Sequence, residues 1–145
     1  MKAVLQRVSS ASVQVNDKLV GSIRHGWLVL LGICHEDSQK DCQYLADKVA
    51  GLRAFSDEFG KMNLNVMQVS GSILIVSQFT LYGECQKGRR PSFQAAAKPE
   101  KAQELYLKFI QEMQDLGIEV ATGEFGANMQ VNMQGDGPVT LIISS

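Results

Sequence analysis

Ser77, Gln78 and Thr80 follow the most apolar run in the chain, Ser72-Ile73-Leu74-Ile75-Val76, and carry two hydroxyls and an amide but no charge. A hydroxyl beside a base can attack an acyl carbon. No base accompanies these residues: the only histidines, His25 and His35, lie far away in sequence, and no Gly-x-Ser-x-Gly elbow is present. By residue type alone, Thr80 is a β-former at a strand end and Ser77 bonds to nearby backbone. The competing reading uses the main chain. A strand end can present N–H groups outward and stabilise an oxyanion with no side-chain nucleophile.

Asp136-Gly137-Pro138-Val139 is a second candidate. Proline lacks an N–H and is excluded from the middle of a sheet, which predicts a turn, edge or bulge before the last strand, a hairpin turn being the commoner form. The functional alternative is that glycine lets backbone approach a ligand closely, with carbonyls as the recognition surface. Lys87-Gly88-Arg89-Arg90, flanked by Tyr82 and Phe93, reads either as a solvated loop or as a salt-sensitive contact with a few phosphates at a nucleic-acid end. A metal on His25 or His35 would need Glu36 or Asp37, and adjacent acids after a strand more often make a solvated turn. Cys34, Cys42 and Cys85 are odd in number, lack a CxxC spacing and read as small hydrophobes. Neither a metal nor a cofactor is expected.

Around these candidates the pattern alternates between strands and helices. Val4 to Val15 suits one or two strands, Asn16-Asp17-Lys18 a hairpin turn, Leu19 to Ile23 its return, and Gly26 to Ile33 a central strand apolar on both faces. Ser38 caps a helix whose apolar positions are Cys42, Leu45, Ala46, Val49 and Leu52. Arg53-Ala54-Phe55 reads as a short strand, and Ser56 to Lys61 as a polar loop. Pro99 starts a second helix with Ala102, Leu105, Tyr106, Phe109, Ile110, Met113 and Leu116 on one stripe and Gly117 as its stop. Residues 118–121, 129–133 and 139–143 read as strands, the last two joined through Gln134 to Pro138. The expected fold is α/β: one domain over residues 1–145, with a curved or barrel-like mixed sheet and two main helices packed against it.

The totals narrow the function. At 145 residues and 45% hydrophobic composition the chain suits one core. Fourteen Lys and Arg against 15 Asp and Glu give a net charge of -1, so any nucleic-acid contact must rest on a local patch. No apolar stretch reaches the roughly 20 residues of a spanning helix, and no secretory segment opens the chain, so the reading is cytoplasmic with no membrane partner.

Taken together, "AVLQRVSSASVQV" near the start, "GKMNL" at Gly60 to Leu64, "SQFTLYG" followed by "KGRRPSF", and the late "GDGPVT" resemble the D-aminoacyl-tRNA deacylases in order and spacing over essentially the whole length. The resemblance implies a hydrolase that cleaves D-aminoacyl-tRNA, and glycyl-tRNA mischarged on tRNA-Ala, while rejecting L-aminoacyl groups. It implies a homodimer in which Gly137 and Pro138 of one subunit, joined by a cis peptide, enter the partner's pocket against Ser77, Gln78, Phe79 and Thr80. It further implies that Arg7 orients that pair, that Met129 lies by the terminal adenosine, and that the nucleic-acid partner is the aminoacyl-tRNA 3′ end. One departure stands out: the family's usual Asn-Asp-Gly-Pro is here Gly135-Asp136-Gly137-Pro138. The rival readings are a tRNA-end binding module without catalysis and a Ser/Thr esterase of small acyl esters.

Overall fold

The computed structural model describes residues 1–145. The chain runs β1 (Lys2–Val15), β2 (Lys18–Ile23), β3 (Gly26–Gly32), α1 (Gln39–Gly51), β4 (Phe55–Ser56), β5 (Met62–Leu64), β6 (Ser72–Ser77), α2 (Pro99–Asp115), β7 (Glu119–Thr122) and β8 (Gln130–Ser144), with a single 3₁₀ turn at Phe79–Tyr82. The main sheet has the order β2-β1-β3-β6-β7, with β8 on the opposite edge of β1. β3 with β6 and β6 with β7 are parallel, and β1 is antiparallel to β2, β3 and β8. β4 and β5 form a separate small ribbon.

β1 is long enough to serve two neighbours on one edge. Its first half, Lys2 to Val8, pairs with β3, and its second half, Ala11 to Val15, pairs with β2. Register irregularities against β8 between Gln6 and Ser10 bend it, as bulges do. The bend carries β2 over towards β7. There Gly21 is required, because a Cβ on it would lie 2.3 Å from the Thr122 carbonyl oxygen. The sheet therefore nearly closes.

Period-two alternation then makes two cores. Leu28, Leu74 and Val76 point into the curl with Val8, Ala11, Val13 and Ile23. The alternate residues Trp27, Val29, Leu31, Ile73 and Ile75 point outward and, with Ala3 and Leu5, receive the helices through Cys42, Leu45, Ala46 and Val49 of α1 and Leu105, Tyr106, Phe109 and Met113 of α2. Each large apolar side chain buried here stabilises the fold by about 1.5–3 kcal/mol. The Tyr106 hydroxyl donates to the Ile75 carbonyl at 2.9 Å, tying α2 to β6. Burial pushes its phenol up to about 12, so it remains a donor.

Both helices begin where their sequences predict and α2 also ends there, whereas α1 stops at Gly51 and leaves Leu52, expected on its stripe, in extended backbone. At α1, the Asp41 carboxylate accepts from the Ser38 amide at 2.9 Å and the Ser38 hydroxyl at 2.6 Å. α2 starts on Pro99 and ends before Gly117, at φ +79. The two-helix, barrel-like mixed α/β architecture is the one expected. Three further local readings differ. The short strand after α1 begins at Phe55 rather than Arg53, because Ala54 offers its carbonyl to the Arg7 side chain instead of a strand. Cys85 is exposed, unlike the buried Cys42 whose thiol burial pushes up to about 11. Residues 129–133 and 139–143 are not joined by a hairpin: β8 continues through Gln134 to Pro138, because β1 pairs on both sides of that segment and a bulge absorbs the proline.

Candidate active site

β6 delivers the polar strand end. Ser77 stands beside Leu31 of β3, and the Gln78 amide extends the ladder to the Leu31 carbonyl at 2.8 Å. The chain then tightens into the 3₁₀ turn, with the Leu81 amide on the Gln78 carbonyl and the Gly83 amide on the Thr80 carbonyl at 2.9 Å. The leading N–H groups of such a turn, here those of Phe79 and Thr80, have no partner inside it. Thr80 is exposed, and its Oγ1 accepts from the Gln78 side-chain amide at 2.5 Å. An amide is no base, and no histidine or carboxylate bonds to this hydroxyl.

Beside the strand end lies a cavity of about 410 Å³ lined by Leu31, Ile33, Ser77, Phe79, Phe93 and Phe125, with the Ala96 to Ala102 segment closing it. Its walls are largely apolar, with the Ser77 hydroxyl and nearby main chain supplying polarity. That is the character of a small-ligand site. Phe79, 57% exposed, meets Phe93 edge-on at 5.1 Å between ring centroids, which joins the turn to the segment after the basic loop. Sequence reasoning missed the walls formed by Ala96, Ala97, Ala102 and Phe125. The signal available was the run Ala95-Ala96-Ala97 before Pro99, small residues that leave room at a helix start.

Arg7 and the Gly-Pro pair form a second group. Arg7 is buried on the helix-facing side of β1; its Nη1 donates to the Ala54 carbonyl at 2.7 Å and its Nε pairs with Asp136 Oδ2 at 2.9 Å. Gly137 and Pro138 are exposed, and the peptide between them is cis. Gly137 sits at φ +122, where a Cβ would lie 2.9 Å from Val139 Cγ2 and 3.1 Å from Arg7 Nη2, so no larger residue fits. Met129 is half-buried and packs with the inner core; its Sδ would lie 2.5 Å from a Cβ on Gly123, and it does not line the cavity.

Register separates the two groups within one chain. Ser77 aligns with Leu31, Leu31 with Ala3, and Ala3 with Ile143, whereas Arg7 aligns with Trp27 and faces the 136–139 bulge. From the bulge to Ser77 is therefore four residue steps along β1, from Arg7 to Ala3, and three strand spacings from β8 to β6. At strand dimensions these are roughly 13 Å and 14 Å, a diagonal of roughly 20 Å. His25, edge-on to Phe55, and His35, whose Nε2 donates to the Gln94 carbonyl at 2.9 Å, join neither group.

Residues 4–144 match the family model described as D-Tyr-tRNA(Tyr) deacylase. The chain is similar to proteins named D-aminoacyl-tRNA deacylase from Desulfatibacillum aliphaticivorans, 57% identical over 100% of this chain and 99% of that one, and from Brevibacillus brevis, 54% identical over 100% of both. Among solved structures it resembles a c-Myc DNA Unwinding Element Binding Protein, 43% identical with a TM-score of 0.93 over 100% of this chain and 99% of that one. It shares its fold with a probable eukaryotic D-amino acid tRNA deacylase at 17% identity and a TM-score of 0.88, over 99% of this chain and 98% of that one.

Proposed function

This chain belongs to the D-Tyr-tRNA(Tyr) deacylase family, hydrolases of an aminoacyl ester, and on that premise we propose how its own residues carry the reaction. The ester of an aminoacyl-tRNA is already activated, so positioning and a modest electrostatic push suffice. The terminal adenosine and ester occupy the cavity beside Ser77, with Gln78 bordering the ribose. Water adds to the carbonyl carbon, the main-chain N–H groups of Phe79 and Thr80 stabilise the oxyanion, and the bond to the ribose oxygen breaks. That oxygen takes the proton, which leaves free D-amino acid and tRNA. The tRNA 2′-hydroxyl assists the water, a role favoured by the Gln78 amide being the bonded neighbour of Thr80 Oγ1.

Handedness is read by main chain. The carbonyls of Gly137 and Pro138 accept the substrate ammonium and leave no room where an L side chain would project. The observation that carries this reading is the register, which sets the Gly137–Pro138 bulge and Ser77 four residue steps and three strands apart, roughly 20 Å measured along a flat sheet. That spacing along the sheet favours the pair acting on a substrate held by a second subunit of a homodimer. Glycine, with nothing to exclude, passes the same filter. The enzyme works in the cytoplasm, where its substrate is found; no helix is long and apolar enough to cross a membrane.

The test is incubation of purified protein with D- and L-aminoacyl-tRNA and counting of the free amino acid. Turnover of the D form with the L form intact is expected. Binding of both without turnover would leave only a tRNA-end module, and hydrolysis of chromogenic esters without tRNA would point to a general esterase.

A further inference from the structure

Lys87, Gly88, Arg89 and Arg90 are all exposed, and none of the three cations enters an ion pair within the chain. They are held out by structure at their base. Glu84 and Ser92 form an antiparallel bridge, with amide-to-carbonyl distances of 2.8 and 2.9 Å, and Gly88 at φ +73 supplies the turn. Glu84, the acid at the base, is engaged by the Gln86 amide at 2.5 Å. The residue just beyond the bridge, Phe93, is a cavity wall packed on Phe79. Arg90 is three residues from Phe93, so their Cα atoms lie at most about 10 Å apart.

A loop with only a solvation role needs no brace to a cavity wall. With a net charge of -1 the protein as a whole does not attract phosphate, so attraction must come from a patch such as this one. We infer that the Lys87-Arg89-Arg90 loop grips phosphates of the single-stranded nucleic-acid end whose terminal nucleoside ester sits in the neighbouring cavity. This rests on the deacylase reading for the identity of the ester. It goes beyond that reading in assigning the loop the nucleotides just upstream, where a flexible strand leaves the cavity and passes the loop.

The test measures binding of labelled uncharged tRNA against salt for the full-length protein. Three single-strand phosphate contacts give a slope of about -2.1 in log K against log salt, or about 18-fold weaker binding between 50 and 200 mM. Arg89→Ala/Arg90→Ala is expected to flatten the slope by about 1.4 units, leaving about a 2.6-fold loss over that range. Lys48→Ala/Lys61→Ala, which removes two cations outside the loop, should keep the original slope. In turnover of D-aminoacyl-tRNA the loop variant should raise KM at unchanged kcat, and it should match the unsubstituted protein on D-aminoacyl-adenosine, which has no phosphate. Equal salt slopes for the loop variant and the unsubstituted protein, or an equal defect on the adenosine ester, would overturn the inference. Failure of the unsubstituted protein to cleave either ester would instead remove the deacylase reading, and the binding slopes would still decide the loop.

Discussion

Arg7 Nε lies 2.9 Å from Asp136 Oδ2 and 3.3 Å from the Asp136 carbonyl oxygen, while Nη1 of the same guanidinium holds the Ala54 carbonyl. One buried cation thus links the segment after α1 to the residue immediately before Gly137. Together with the Ser9 hydroxyl on the Gln134 carbonyl, this link is a side-chain restraint on the stretch of β8 that approaches the Gly-Pro pair.

Replacing Asp136 by Asn should leave the chain folded, because the Asn amide oxygen can still accept from Arg7 Nε, at a cost in stability set by losing the charge beside a guanidinium only 10% exposed. Misplacing the Gly137–Pro138 pair, the wedge proposed to exclude an L side chain, is costlier. The ratio of D- to L-aminoacyl-tRNA cleavage should fall by about 10- to 100-fold, read from single-turnover rates on both substrates. An unchanged ratio would mean that Arg7 needs no help from Asp136.

If the wedge and the strand end act from different subunits, two inactive variants should rescue one another. Gly137→Ala disturbs the wedge, and Ser77→Trp fills the cavity. Random reassortment in a twofold dimer gives half heterodimers with one intact site each, so a one-to-one mixture refolded together should recover about one quarter of full activity. Zero recovery, with circular dichroism showing both variants folded, would place wedge and cavity in one chain.

Thr80→Ala should retain most single-turnover activity, because the hydroxyl removed is bonded to an amide rather than to a base. A tRNA ending in 2′-deoxyadenosine should in contrast be cleaved far more slowly. Near-complete loss in the alanine variant would make Thr80 the nucleophile.

Glycyl-tRNA should be hydrolysed alongside D-tyrosyl-tRNA, since exclusion by main chain acts only on a side chain. Resistance of glycyl-tRNA under conditions that cleave the D-tyrosyl ester would show that handedness is read by positive recognition instead.

The Ser38 hydroxyl and amide hold Asp41 down to about 2, from its ordinary 3.8. A depressed carboxylate contributes stability in full above its unfolded value and loses it as pH falls through the folded value. Ser38→Ala should cost about 1 kcal/mol at neutral pH, or about 2–4 °C in Tm. That gap should narrow between pH 4 and pH 2, followed by thermal melts across the range.

Most of the fold was legible because its signals are local. The 3.6-residue stripe from Ala102 to Leu116, the Ser38 cap and the two-faced apolar run from Gly26 to Ile33 each specify an element by themselves. What was hidden depends on partners distant in sequence. Gly135-Asp136-Gly137-Pro138 has the composition of a turn, and only its pairing with β1 keeps it within a strand. The cavity was hidden for the same reason: Phe125, Ala96 and Ile33 become neighbours only after α2 settles on the sheet. Residues 77–80 were readable as a polar strand end, but which of their atoms face a substrate depends on the 3₁₀ turn that follows.

The Ile75 carbonyl accepts from both the Tyr106 hydroxyl and the Gly123 amide, two residues before the polar strand end begins. Where the reacting groups are peptide atoms, what must endure is the scaffold that anchors them. Drift in exposed side chains near the mouth should then be forgiven, whereas Tyr106→Phe, far in sequence from Ser77, should loosen the shelf on which turnover takes place.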